Sequence, residues 1–194
     1  MTHTLHRQGT EENLMNDYLV LPYGGGQSSG GQSNRDKFIE ICLRHEPVNY
    51  DSLASFRIYV FDRKEKVDKV LQELAEAELG ISIVVSGLYD MVGDCCYKAG
   101  LKPHTINYSL GFWGNAEKIP DKRFFELSSM CGHSLISPNL VKEMAKRVSK
   151  GYSAARAADK ISNVCLCDLF NTKRGEVLLE SLASDIKSGN LRIA

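Results

Sequence analysis

The sequence lacks any apolar run long enough to cross a bilayer. Its most apolar stretch, GISIVVSG at residues 80–87, falls far short of a membrane span. It also lacks net charge: Lys plus Arg and Asp plus Glu both stand at 24, so no overall field draws it to nucleic acid or an anionic membrane. The N-terminal MTHTLHRQGTEEN has no apolar core of the signal-peptide kind, and a cytoplasmic location is expected. Wholesale disorder and fibrous repeats are excluded by 43% hydrophobic and 25% charged residues, both ordinary globular values. At 194 residues the chain can bury a real core without a covalent staple.

What is present is cysteine, at positions 42, 95, 96, 131, 165 and 167. In a reducing compartment, metal binding or thiol chemistry is a better use of such residues than disulfides, so their spacing matters.

Periodicity suggests an α/β fold. DYLVLPY (residues 17–23) reads as a short strand, followed by a Gly/Ser-rich loop at 24–33. Asn34 is a reasonable N-cap for a helix with Phe38, Ile41 and Cys42 on one face, stopped at Pro47. SFRIYVFD (55–62) has strand composition, and Val67, Val70, Leu71 and Leu74 follow at helical spacing. GISIVVSG reads as a fully buried strand, LYDMVGDCCYKAG (88–100) as a helix closed by Gly100, and PHTINYSLGFWG (103–114) as a third strand. This order predicts a βαβαβ-type core, with a parallel or ferredoxin-like sheet. After it come three helices capped at Ser137, Ser153 and Thr172. The expected organisation is an α/β region over 1–115 and a helical Cys/His region over 116–194, packed as one unit.

Two Cys/His pairs stand out in the last third: Cys131-Gly132-His133 ahead of Ser137, and Cys165-Leu166-Cys167 ahead of Thr172. In extended chain, residues i and i+2 project to one side, so each pair offers two ligands to one centre. The helix starts nearby favour thiolate over thiol. The spacing is shorter than the C-x2-C of familiar zinc knuckles. The expectation is therefore an iron–sulfur cluster held by Cys131, Cys165, Cys167 and His133, with His104 as a spare ligand and zinc as the alternative metal. An open centre would serve redox or sulfur chemistry with a small-molecule substrate or a redox partner, and a closed one would be structural. Cys96 reads as core and Cys95 as core edge, since adjacent helical positions diverge by about 100°.

Two rival readings use other residues. In the first, Cys131 is a catalytic nucleophile with His104 or His133 as base. In the second, GQSSGGQS (26–33) imitates a phosphate loop but has Gln32 where that loop needs lysine, so a flexible Gly/Ser segment explains it better. His3, His6 and Arg7 read as an exposed polar terminus able to hold an anion. Ser86-Gly87 reads as an anion-binding strand-to-helix turn, with Phe112 and Trp113 at the same sheet edge if the third strand runs parallel.

Overall fold

The computed structural model describes residues 6–23, 31–51, 57–109, 111–191 and 193. The chain divides into two compact units, Thr10–Asn107 and a second that joins Met1–Gly9 to Tyr108–Ala194. Most of the Gly/Ser-rich loop, including most of the phosphate-loop imitation, and His3 lie outside the described residues.

In the first unit, α1 (Glu11–Leu14), capped by the Thr10 hydroxyl, leads into β1 (Tyr18–Pro22). Then follow α2 (Gly31–Arg44), β2 (Tyr59–Phe61), α3 (Lys64–Glu76), β3 (Ile83–Ser86) and α4 (Tyr89–Lys98). The three strands form an antiparallel sheet in the order β2-β1-β3. The expected parallel or ferredoxin-like βαβαβ core is therefore incorrect. Although β2 and β3 run in the same direction, β1 stands between them, paired through Leu19 with Val60 on one side and Ser86 on the other. The segment expected to be the third strand, 103–114, forms no strand among its described residues; 103–109 are exposed there. Strand-like composition does not by itself supply a ladder, and the sheet's third strand comes from DYLVLPY instead.

Position in the sheet also decides burial. Tyr18 through Leu21, in the central strand, are buried, whereas β3 is an edge strand and only half-buried along its length. The helices present the expected faces to this core: Phe38, Ile41 and Cys42 from α2, and Val67, Val70, Leu71 and Leu74 from α3. Helix α2 begins at Gly31, four residues before the start that a cap at Asn34 would give, so Asn34 is not its cap. Its side-chain amide donates to the Leu79 carbonyl at 2.7 Å, tying α2 to the loop after α3. On α4 it is Cys95 that is fully buried and Cys96 that packs part-exposed at the core's edge, the reverse of the expected order. Gly87 owes its place to packing: a Cβ there would meet the Tyr18 ring at 2.8 Å.

The second unit is built of α5 (Lys122–Ser128), α6 (Pro138–Ser149), α7 (Ala154–Ser162) and α8 (Thr172–Lys187). Helix α8 packs on α6 and α7, burying Leu178, Leu179, Leu182 and Ala183 with Val141, Met144, Ala157, Ala158 and Ile161. Side-chain caps start α5 at Asp121, α7 at Ser153 and α8 at Asn171, with Thr172 as the first helical residue of α8. Trp113 is 83% exposed and Phe112 stacks edge-on against Phe125 with ring centroids 5.1 Å apart, and the strand on which their expected place at a sheet edge depended does not form among the described residues. No helix among the described residues is long and apolar enough to cross a membrane.

Candidate functional site

The Cys/His pairs lie in two loops of the second unit, each joining the end of one helix to the start of the next. The first loop leaves α5 and turns tightly, with the Gly132 amide donating to the Ser129 carbonyl at 2.7 Å. Gly132 (φ 82°) and Ser134 (φ 54°) are both left-handed, which suits a glycine at the first position. The second loop leaves α7, where the Cys165 amide donates to the Ser162 carbonyl at 2.8 Å and Asp168 is left-handed at φ 51°. Each loop curls backbone N–H groups toward a sulfur. Cys131 Sγ accepts from the amides of His133 and Leu135, and Cys165 Sγ from those of Cys167 and Leu169. Both sulfurs thus sit in matching cradles made by the amides two and four residues on, which favour negative charge.

The cradles meet at a thiol–thiolate contact. Cys131 and Cys165 are both buried, unoxidised and hydrogen-bonded through their side chains. The bond from Cys165, together with the amides of His133 and Leu135 and the His133 side chain, outweighs burial and pushes the Cys131 thiol down to about 5. The same contact, reinforced by burial, holds the proton on Cys165 far above the usual thiol range. The pair therefore shares one proton at neutral pH.

Beside it, nearer solvent, lies a second contact: Cys167 Sγ is 3.2 Å from His133 Nδ1. Cys167 is only half-buried and His133 is exposed. Burial raises the Cys167 thiol above its usual range, and the negative charges of Cys131 and Asp168 raise it further.

Cys131, His133, Cys165 and Cys167 are thus brought together, but the expected metal centre is not formed. Among the described residues no group of three or more His, Cys, Asp or Glu side chains is arranged to hold a metal ion. Both the iron–sulfur assignment and its zinc alternative are corrected by that finding. The C-x-H and C-x-C segments are not the extended chain that a shared metal centre requires of them. Around Gly132 and across residues 166–168 the backbone turns, and each leading sulfur is engaged by the amides that follow it. His104, the spare ligand, belongs to the other unit, where it is exposed and its Nδ1 lies 2.9 Å from the Thr105 hydroxyl.

Contributors that side-chain chemistry alone could not reveal are the amides of Leu135 and Leu169 and the residues that steady the first loop. Arg7, which sequence placed in an exposed polar terminus, is 9% exposed, and its Nε donates to the Met130 carbonyl at 3.1 Å. Its charge was legible, but its target lay 123 residues away.

Comparison of the chain with protein-family models, with curated proteins and with solved structures finds no match.

Proposed function

We propose that the second unit is a dithiol centre for thiol–disulfide exchange, in which Cys131 and Cys165 supply the electrons and Cys167, beside His133, is the point of entry. The observation that carries this reading is the buried contact between the Cys131 and Cys165 side chains, next to a half-buried thiol already within reach of an imidazole. A cradled thiolate touching a second thiol is poised to form a disulfide when an acceptor arrives.

The partner is a disulfide-bearing molecule, R–S–S–R′. Cys167 gives its proton to His133 and attacks one sulfur; R′–S⁻ leaves and takes that proton, and the mixed disulfide Cys167–S–S–R remains. The Cys131 thiolate then attacks the Cys167 sulfur, and R–S⁻ leaves with the proton of Cys165. The Cys165 thiolate attacks Cys131 in turn, forming the Cys131–Cys165 disulfide and freeing Cys167 as thiolate. The substrate disulfide is reduced to two thiols and the pair is oxidised by the same two electrons. His133 serves this sequence better than His104, because it already contacts the attacking sulfur.

The test is to incubate the reduced chain with glutathione disulfide, quench with acid and map the linkages by mass spectrometry. The expected product joins Cys131 to Cys165 and leaves Cys167 free, while Cys167→Ser slows its formation. Recovery of all six thiols, or a stable mixed disulfide on Cys167 with Cys131 and Cys165 still reduced, would overturn the reading.

A further inference from the structure

The residues immediately before Cys131 are held by a part of the chain remote in sequence. Arg7 Nε donates to the Met130 carbonyl at 3.1 Å, and the Gln8 amide donates to the Ser129 hydroxyl at 3.1 Å. The strap is anchored from its other side by Arg174, whose Nη2 donates to the Gln8 carbonyl at 2.7 Å and to Glu126 Oε1 at 2.6 Å. Arg7, Arg174, Glu126 and Ser129 are all buried. Putting two guanidinium groups inside a small helical unit is costly, and apolar side chains would glue a terminus to a core more cheaply. What guanidinium groups provide and apolar groups do not is direction: each N–H fixes the orientation of the oxygen it meets.

We propose that the Arg7–Gln8 strap is the positioning element of the Cys131 sulfur, with Arg7 acting through the Met130 carbonyl. That carbonyl belongs to the peptide whose nitrogen is Cys131's own, so its orientation sets the direction in which Cys131 enters the turn. From there the chain must pass through left-handed Gly132 and Ser134 to aim the amides of His133 and Leu135 at the sulfur. Ser129, pinned by Gln8, is also the residue whose carbonyl closes the turn on the Gly132 amide. Three bonds therefore converge on the two residues that launch the cradle. The strap bonds the Met130 carbonyl and the Ser129 hydroxyl, so its removal acts on the backbone that leads to the amides of His133 and Leu135.

The inference rests on the dithiol reading, and the two separate by experiment. The readout is the ultraviolet thiolate absorbance of the full chain as a function of pH, taken as the difference from the Cys131→Ser variant. Arg7→Gln is expected to raise the midpoint of the Cys131 titration by about one pH unit, roughly a tenfold loss of thiolate in the acid range. Ser129→Ala should shift it less and in the same direction, and Arg147→Gln, which removes a surface charge, should leave it in place. Superimposable curves for folded Arg7→Gln and wild type would overturn the proposal. Where Arg7→Gln fails to fold, an unshifted Ser129→Ala does the same. A wild type with no acid-range thiolate also overturns it. Mapping of the Cys131–Cys165 linkage in that sample then decides the dithiol reading separately.

Discussion

Cys167 Sγ and His133 Nδ1 lie 3.2 Å apart across thirty-four residues of sequence, one from the loop after α7 and the other from the loop after α5. The contact gives a thiol that its surroundings keep protonated a neighbour able to take the proton. Burial and the charges of Cys131 and Asp168 hold the proton on Cys167, so His133 is needed for that thiol to react near neutral pH. His133→Asn should slow alkylation of Cys167 by at least about tenfold, a modest share of what a positioned base contributes. Cys131→Ala should act the other way, since removing a nearby negative charge lets Cys167 ionise more easily. Peptide-resolved iodoacetamide kinetics distinguish the two, and equal rates in wild type and His133→Asn would remove His133 from the chemistry.

The shared proton of Cys131 and Cys165 makes stability depend on pH in a definite direction. The folded state depresses the Cys131 value, so the stability Cys131 contributes is complete above the ordinary thiol value and lost as pH falls toward about 5. Cys165 is shifted upward; its contribution is intact below the ordinary thiol value and fades only as pH climbs far into alkali. Between acid and mildly alkaline pH the first effect varies and the second does not. The difference in thermal midpoint between the reduced wild type and Cys131→Ser should therefore widen steadily from pH about 5 to about 8. A constant difference over that range would show that no thiolate is stabilised by folding.

How much of this was legible depended on how local the governing physics was. The buried faces of α2 and α3 follow from 3.6-residue periodicity, and Phe38, Ile41, Cys42, Val67, Val70, Leu71 and Leu74 all take the places it assigns them. Strand pairing is a long-range matter. DYLVLPY was recognisable as a strand, but nothing in those residues says that it would be central and antiparallel to both neighbours. The Cys/His loops announced themselves by composition and by the helix starts behind them. Their geometry did not, because left-handed Gly132, Ser134 and Asp168 bend chain that the spacing alone suggests is straight. Arg7 was hidden for the same reason that makes it informative: its partner is a backbone carbonyl, which every residue carries.

The ion pair between Arg174 and Glu126 tests how the second unit is secured. Its side chains are only 3% and 9% exposed at a separation of 2.6 Å. Arg174→Met leaves a buried carboxylate without this partner and also frees the Gln8 carbonyl, so unfolding free energy should fall by about 3–5 kcal/mol. In Arg174→Met/Glu126→Leu the orphaned charge is gone, and a substantial part of that loss should return. Urea denaturation of the three proteins measures both effects; a double variant less stable than Arg174→Met would show that the carboxylate left alone is not what costs the single variant its stability.

Gly175 lies where α8 passes under the loop that carries Cys165 and Cys167, and it is small for a steric reason. A Cβ at that position would stand 2.5 Å from Phe170 Cε1 and 2.6 Å from Cζ, too close for any pair of carbons, with Ala158 Cβ at 3.5 Å behind. Phe170 is fully buried in a close-packed interior, so the strain of Gly175→Ala is expected to pass into the backbone that leads back to Leu169. The Leu169 amide is one of the two that cradle Cys165. Helix propensity alone would make alanine the better residue here by about 1 kcal/mol. Overpacking should reverse that sign and destabilise the chain by about 1–3 kcal/mol. Because the displaced segment is the Cys165 cradle, Gly175→Ala should also slow formation of the Cys131–Cys165 disulfide more than Gly151→Ala does, a substitution in a glycine turn with open space around it. If Gly175→Ala were stabilising and oxidised at the wild-type rate, α8 would have no hold on the thiol loop.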